Sequence, residues 1–158
     1  FSFKIRPYPD KGWSLKDRYI DIFGTKIIST KKTLRDDFSD SKLNICTYPE
    51  TTFFESMHSG IPTVLLYVEK YWELEESFTT LARHLVRAKI AHTNPESAVM
   101  HIKNIYTDPQ KWWNKDETKE ARLMFDQVCG APSEDVSIDK EFHGFLMNIS
   151  NKNRSCHA

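Results

Sequence analysis

Tyr48, Thr51, Thr52 and Glu55 fall within eight positions of this 158-residue chain, just after the apolar run Leu43-Asn44-Ile45-Cys46-Thr47. Phe53, Phe54 and Met57 mark one face of a short helix through the same stretch, and Gly60 suits the left-handed position that ends it. The two hydroxyls therefore sit at a helix start, beside main-chain N–H groups that have no partner within the helix. Partial positive charge gathers there, so the arrangement accepts an anion and suits phosphate. Glu55 lies one turn on, on the side of Thr52, where a carboxylate can accept hydrogen bonds from a sugar or ribose hydroxyl pair. Tyr48 offers a ring to a nucleobase. The same spacing also fits a different role, because Thr52-x-x-Glu55 is the pattern of a capping box, which satisfies helix-start donors with no ligand.

Other reactive side chains give weaker signals. Six histidines stand at 58, 84, 92, 101, 143 and 157, without a zinc-type His or Cys spacing. His58 follows Glu55 by about one turn and faces either the same cleft or, as the blander expectation, solvent. Cys46 reads as a small core residue, since no base is placed to activate its thiol. Trp112-Trp113 could stack on a sugar but better fits a staple between helices. Tyr71-Trp72 falls in a loop and is a candidate cleft lining. Arg83, Arg87 and Lys89 read as the solvated face of a helix.

Strands and helices must alternate to position these groups. Phe1, Phe3 and Ile5 have the period of a half-buried strand, and residues 6–12 then break regular structure with Pro7, Pro9 and Gly12. Leu15, Tyr19, Ile22 and Phe23 share a helical face that Gly24 ends. Residues 26–30 hold the pair Ile27-Ile28, and Thr33 caps a short helix over 34–38. After the strand at 43–47 and the helix of the Thr/Glu motif, residues 63–68 are apolar on both faces, as in a strand buried in a parallel sheet. Phe78, Leu81, Ala82, Leu85 and Val86 define a strong helix, and residues 90–92 a last strand. Asn94-Pro95 and Asp108-Pro109 each read as a cap followed by a first-turn proline. Ala98, Ile102 and Ile105 face the core from the first of these helices, and Ala121, Met124, Phe125 and Val128 from a later one. The expected fold is α/β, a Rossmann-like parallel sheet of about five strands flanked by helices, with a helical C-terminal region. Residues 1–132 form the sheet domain, 133–150 a linker and a last helix carrying Phe142, Phe145, Leu146 and Ile149, and 151–158 a polar tail. An uncovered last helix would promote self-association. In such sheets ligands bind at the carboxyl ends of strands, so the loops at 6–12, 48–52 and 69–73 are the ones to inspect.

Composition narrows the function. Lys plus Arg and Asp plus Glu are both 22, so no overall positive charge supports non-specific nucleic-acid binding. Hydrophobic residues at 39% suffice for a packed core. No apolar run approaches the ~20 residues of a membrane-spanning helix. Three cysteines are too few for a disulfide scaffold and point to a reducing, cytoplasmic compartment. The chain opens on Phe1 within a strand pattern, so it reads as a piece of a longer polypeptide.

Arg6-Pro7-Tyr8-Pro9, then residues 47–55, then Gly60-Ile61-Pro62-Thr63 together resemble the C-terminal half of a GT-B glycosyltransferase. More narrowly they resemble a transferase family from bacterial surface-carbohydrate loci of the O-antigen and capsule type. Asp108-Pro109-Gln110-Lys111-Trp112-Trp113, Ala121-Arg122 and Phe125 fit the same family. The resemblance covers roughly residues 4–129 and rests on the order and spacing of short motifs. It implies one of two Rossmann-like domains, the one that binds a nucleotide-sugar donor. Thr51 and Thr52 then become phosphate ligands, Glu55 the acceptor of sugar hydroxyl bonds, and Arg6 a charge that offsets phosphate as the leaving group departs. The partners implied are the donor and a glycan or lipid-linked acceptor held by a preceding domain, with peripheral membrane association of the full-length protein. No metal or other cofactor and no nucleic acid is implied. The catalytic base belongs to the preceding domain, so none is assigned. The competing expectations are a non-catalytic scaffold or partner-binding module, in which the Thr/Glu motif only caps its helix, and a nucleotide-sugar epimerase-like domain.

Overall fold

The computed structural model describes residues 3–7, 12, 14–72 and 74–130. Its centre is a parallel sheet of three short strands in the order β1 (Asn44–Cys46), β2 (Thr63–Leu66) and β3 (Ala91–His92). Ile45 pairs with Val64, and Leu65 with Ala91. The middle strand has Thr63, Val64 and Leu65 buried, which is why it lacks polar alternation. β1 keeps the alternation, with Asn44 and Cys46 inward and Ile45 outward.

Helices cover the strands through right-sized crossovers. With β1 and β2 bridged by a helix at Thr51–His58, the expected βαβ unit is present. A polar thread runs through it: the Asn44 amide donates to Ser56 Oγ (2.8 Å), Ser56 lies 2.7 Å from Thr63 Oγ1, and Thr63 donates to the Ile61 carbonyl (2.8 Å). With Thr63 donating onward, the Ser56 hydroxyl donates to Thr63, and every buried polar group in the thread is paired. Residues Glu76–Arg87 form the next helix, with Leu81, Ala82 and Leu85 buried and Arg83 and Arg87 exposed. Helices at Pro95–Ile105, Pro109–Trp113 and Asp116–Cys129 complete the chain. Both Asn94 and Asp108 cap as expected, accepting from the Ser97 and Lys111 amides (2.9 and 3.2 Å).

Phe53, Leu65, Leu85, Ile90, Trp113 and Phe125 are among the residues of one core, with Phe53 and Phe125 edge to face (5.7 Å). The tryptophan pair is its staple: Trp112 donates to the Ala88 carbonyl (3.1 Å) and Trp113 to the Gly60 carbonyl (2.9 Å). Both are buried, so they present no face to a sugar. Gly60 does adopt a left-handed φ of 73°.

In chain order the helices are α1 (Leu15–Phe23), α2 (Leu34–Asp40), α3 (Thr51–His58), α4 (Glu76–Arg87), α5 (Pro95–Ile105), α6 (Pro109–Trp113) and α7 (Asp116–Cys129), with one-turn 3-10 helices at Thr25–Ile27 and Glu69–Tyr71. The amino-terminal part departs from the five-strand expectation. The two anticipated strands contribute one parallel bridge, Ile5 to Ile28, made by Ile5 N–H to the Ile27 carbonyl (2.7 Å) and Ser29 N–H to the Ile5 carbonyl (2.8 Å). Residues 25–27 coil into a 3-10 turn after Gly24, which shortens the second run to almost nothing. Thr33 caps α2 in a full capping box with Asp36. The anticipated linker at 133–138, the last helix and the tail at 151–158 lie outside the described residues, as do Phe1 and the Tyr8-Pro9 portion of the first loop. Among the described residues no helix is long and apolar enough to cross a membrane.

Candidate functional site

Parallel strands put their carboxyl ends on one edge, and Tyr48, Thr51 and Thr52 follow β1 at that edge. Tyr48, Thr51, Thr52 and Glu55 are all exposed. The N-cap position of α3 is Glu50, whose side chain makes no capping bond. Backbone bonding begins with the Phe53 and Phe54 N–H groups, both donating to the Glu50 carbonyl (2.8 and 3.2 Å). The first-turn amides of Thr51 and Thr52 precede these bonds and point outward, as at any helix start. The Thr52–Glu55 capping box does not form, because Thr52 lies inside the helix, not at its cap.

Two other helices also start without a side-chain cap, but α4 has Glu76 in its first turn and α7 has Asp116 and Glu117. The first turn of α3 holds no acid, which leaves its positive end uncancelled apart from Glu50 just before it. Aromatic rings stand beside this corner. Tyr48 meets Trp72 at 5.9 Å between centroids, which joins the loop after β1 to the loop after β2. Tyr71 is 71% exposed and carries the Lys70 ammonium over its ring (4.7 Å).

Arg6 lies in a different setting. Its guanidinium pairs with Asp37 and donates to the carbonyls of Lys31 (2.9 Å) and Thr33 (2.8 Å). These contacts fasten the Ile5 segment to the start of α2. Tyr48, Thr51, Thr52 and Glu55 are thus grouped by one strand–helix corner, while the contacts of Arg6 belong to the amino-terminal part.

His58 is not a solvated surface residue. Its ring packs on Phe125 (5.3 Å), and its Nε2 is buried, 4.0 Å from Asp126 of α7. It sits at the far end of α3 from Thr51 and helps dock that helix. Burial pushes the Cys46 thiol up to about 12, so at neutral pH it is a protonated core group rather than a nucleophile. Arg87 pairs with Glu117 (3.1 Å) on the exposed side of α4, while Lys89 lies past the helix end at a left-handed φ of 62°.

One paired group went unnoticed at the sequence level. His92 of β3 is buried, and its ring lies 5.3 Å from that of His101 on α5. His92 Nε2 is 3.1 Å from the Lys89 carbonyl, so that nitrogen carries the proton and Nδ1 accepts from Ser97 Oγ (2.8 Å). His101 meets Trp112 edge-on (4.7 Å), and its Nε2 is buried without a partner. Burial, then the nearby charges of His92, Lys89 and Lys115, lowers His101 to about 4. The two histidines are nine residues apart on different elements, and only the β3–α5 packing reveals them as a pair. Among the described residues no group of three or more His, Cys, Asp or Glu could hold a metal ion.

A cavity of about 380 Å³ opens at the opposite, amino edge of the sheet, between Ser41 and Lys42, Ile61 and Pro62, and Asp108 and Pro109. Open parallel sheets bind ligands at the carboxyl edge, so this hollow is on the wrong side for the expected site.

A small parallel sheet with crossover helices, and a helix start without a side-chain cap at its carboxyl edge, defines a mixed α/β protein. The model of the LIC12162 family transferase matches residues 2–131, and the chain belongs to this family of transferases. No curated protein and no solved structure matches the chain.

Proposed function

We propose that the chain is the nucleotide-sugar donor-binding domain of a glycosyltransferase, the C-terminal half of a cytoplasmic GT-B enzyme of bacterial surface-polysaccharide synthesis. Thr51 and Thr52 hold donor phosphate through their hydroxyls and first-turn amides, Glu55 accepts from sugar or ribose hydroxyls, and Tyr48, braced by Trp72, takes the base. Arg6 acts from a distance, as a charge near the amino-terminal loop, because its guanidinium is already bonded to Asp37 and two carbonyls. The glycan or lipid-linked acceptor and the catalytic base come with a preceding domain. No step of the reaction requires a bound cofactor from this chain.

The observation that carries this reading is the bare start of α3: exposed Thr51 and Thr52, no side-chain cap, and no acid in the first turn, at the carboxyl edge of a parallel sheet in a transferase-family chain. The test is a titration of the 158-residue chain with UDP-, GDP- and CMP-sugars, followed by amide chemical shifts. Binding of one of them at millimolar level or tighter, with the largest shifts at Thr51 and Thr52, is expected. No binding of any at several millimolar would sink the assignment.

A further inference from the structure

The two faces of the sheet belong to different helices. Asn44 and Thr63 meet Ser56 of α3, so Thr63 and, two residues on, Leu65 point to the α3 side. Leu66 and its register partner His92 point the other way, where His92 meets His101 of α5 (5.3 Å between ring centroids). α5 therefore packs on β2 and β3 from the side away from α3. Ala98 and Ile105 turn inward from it and are buried.

At about 100° per residue, Glu96, Val99, Met100 and Lys103 fall within one narrow stripe, directly opposite Ala98 and Ile105. All four are exposed, Met100 at 66% and Val99 at 48%. Neither Glu96 nor Lys103 forms an ion pair with a described residue. The order along the stripe has a two-fold centre. Its midpoint lies between Val99 and Met100, and Glu96 and Lys103 stand about 5 Å along the axis on either side. A second copy turned end for end about that midpoint sets Val99 against Met100 and Glu96 against Lys103, each contact made twice. A parallel copy sets Glu96 on Glu96 and Lys103 on Lys103. A stripe that complements itself in one orientation fits a second copy of the same chain, since an isologous contact needs this symmetry and a foreign partner does not.

We infer that α5 pairs antiparallel with α5 of a second copy of this chain, with Val99 and Met100 at the centre and a Glu96–Lys103 ion pair at each end. The inference stands on α5 alone and is independent of what binds at α3. A pair of 11-residue helices covers less than the roughly 800 Å² per partner of a standard interface, so the association is reversible, with a Kd on the order of 0.1–1 mM.

Sedimentation equilibrium of the 158-residue chain, up to about 1 mM, tests it. The wild type should pass from monomer to dimer across that range. M100E should abolish the dimer, because it places two carboxylates in the apolar centre. E96K and K103E should each weaken it about tenfold or more, since both end contacts become like-charged. The decisive sample is an equimolar mixture of E96K and K103E, in which every Lys again faces a Glu: it should associate about as well as the wild type. That recovery also shows both variants to be folded, and circular dichroism checks M100E. A wild type that stays monomeric at about 1 mM overturns the inference. So does a dimer that survives M100E, which would use another surface, or a mixture no better than its two components, which would exclude the antiparallel register.

Discussion

Residues 3–43 and 44–130 are held together by opposite means. Among the described residues of the first part Ile28 is the buried apolar side chain, and neither α1 nor α2 buries any. Among the described residues that part is fastened by polar contacts: one bridge, the Arg6–Asp37 and Lys31–Asp40 pairs, the Arg6 bonds to the Lys31 and Thr33 carbonyls, and a capping box. The second part is organised around Phe53, Leu65, Trp113 and Phe125. Exposed ion pairs contribute about 0–1 kcal/mol each, whereas burying one large side chain contributes ~1.5–3 kcal/mol. The two parts should therefore open at different free energies, the first well below the second. The candidate donor corner is built on the firm part, and the exposed apolar side chains Ile22 and Phe23 on the soft one.

The largest effect should come from the firm part. Phe125 is fully buried against Phe53, Phe54 and His58. Phe125→Ala should lower the unfolding free energy by about 3–5 kcal/mol, read from urea denaturation. A loss below 1 kcal/mol would mean that the core is not where the stability lies.

Acid should act on the same part next. His101 and His92 are both lowered below the ordinary 6.5, His101 to about 4. Between those values the unfolded chain binds a proton that the folded chain refuses, so stability is complete above pH 6.5 and falls as pH drops towards 4. The effect is smaller than Phe125→Ala, because His101 is only partly enclosed and solvent screens its charge. Urea midpoints measured from pH 7 to pH 4 should decline, and His101→Phe should flatten that decline. An unchanged slope in the variant would remove His101 as its source.

The contrast between the two parts also explains what could be read from residue order. Helices, caps and the buried strand at 63–66 were legible because each depends on local spacing: Thr33 with Asp36, Asn94 with Pro95, Asp108 with Pro109, and the apolar run at β2. The sheet was overcounted at the amino-terminal end, where the alternating run through Ile5 and the β-branched run through Ile28 make, among the described residues, one isolated bridge with each other. A strand exists by pairing, and pairing is not local. The Thr52–Glu55 pattern failed as a capping box for a similar reason, since the helix begins two residues too early for Thr52 to be its cap. The His92–His101 pair had no local signature at all.

Site variants sharpen the division further. Thr51→Ala/Thr52→Ala should weaken donor binding about tenfold, the loss of two hydroxyl bonds to a charged phosphate, while leaving the urea midpoint nearly unchanged, since both are exposed. Arg6→Ala should do the reverse: little change in donor affinity, and faster amide exchange at Ile5 and Ser29 by an opening free energy lower by on the order of 1 kcal/mol. Equal losses of affinity in both variants would join Arg6 to the donor corner and erase the difference drawn here.

The smallest effect tests strain inside the firm part. Lys89 holds a left-handed φ of 62°, fixed by its N–H to the Val86 carbonyl (3.1 Å) and by its carbonyl, which accepts from His92 Nε2 (3.1 Å). That conformation costs an L-residue about 1–2 kcal/mol, and glycine gives back part of the gain as unfolded-state entropy. Lys89→Gly should therefore stabilise the protein by roughly 0.5 kcal/mol at pH 7. The gain should widen in acid, because removing the Lys89 charge lets His101 titrate closer to its ordinary range. Lys89→Ala removes the charge but keeps the strain, so it should share the acid effect and lose the gain at pH 7. Matching behaviour of the two variants at pH 7 would show that the turn stores no strain.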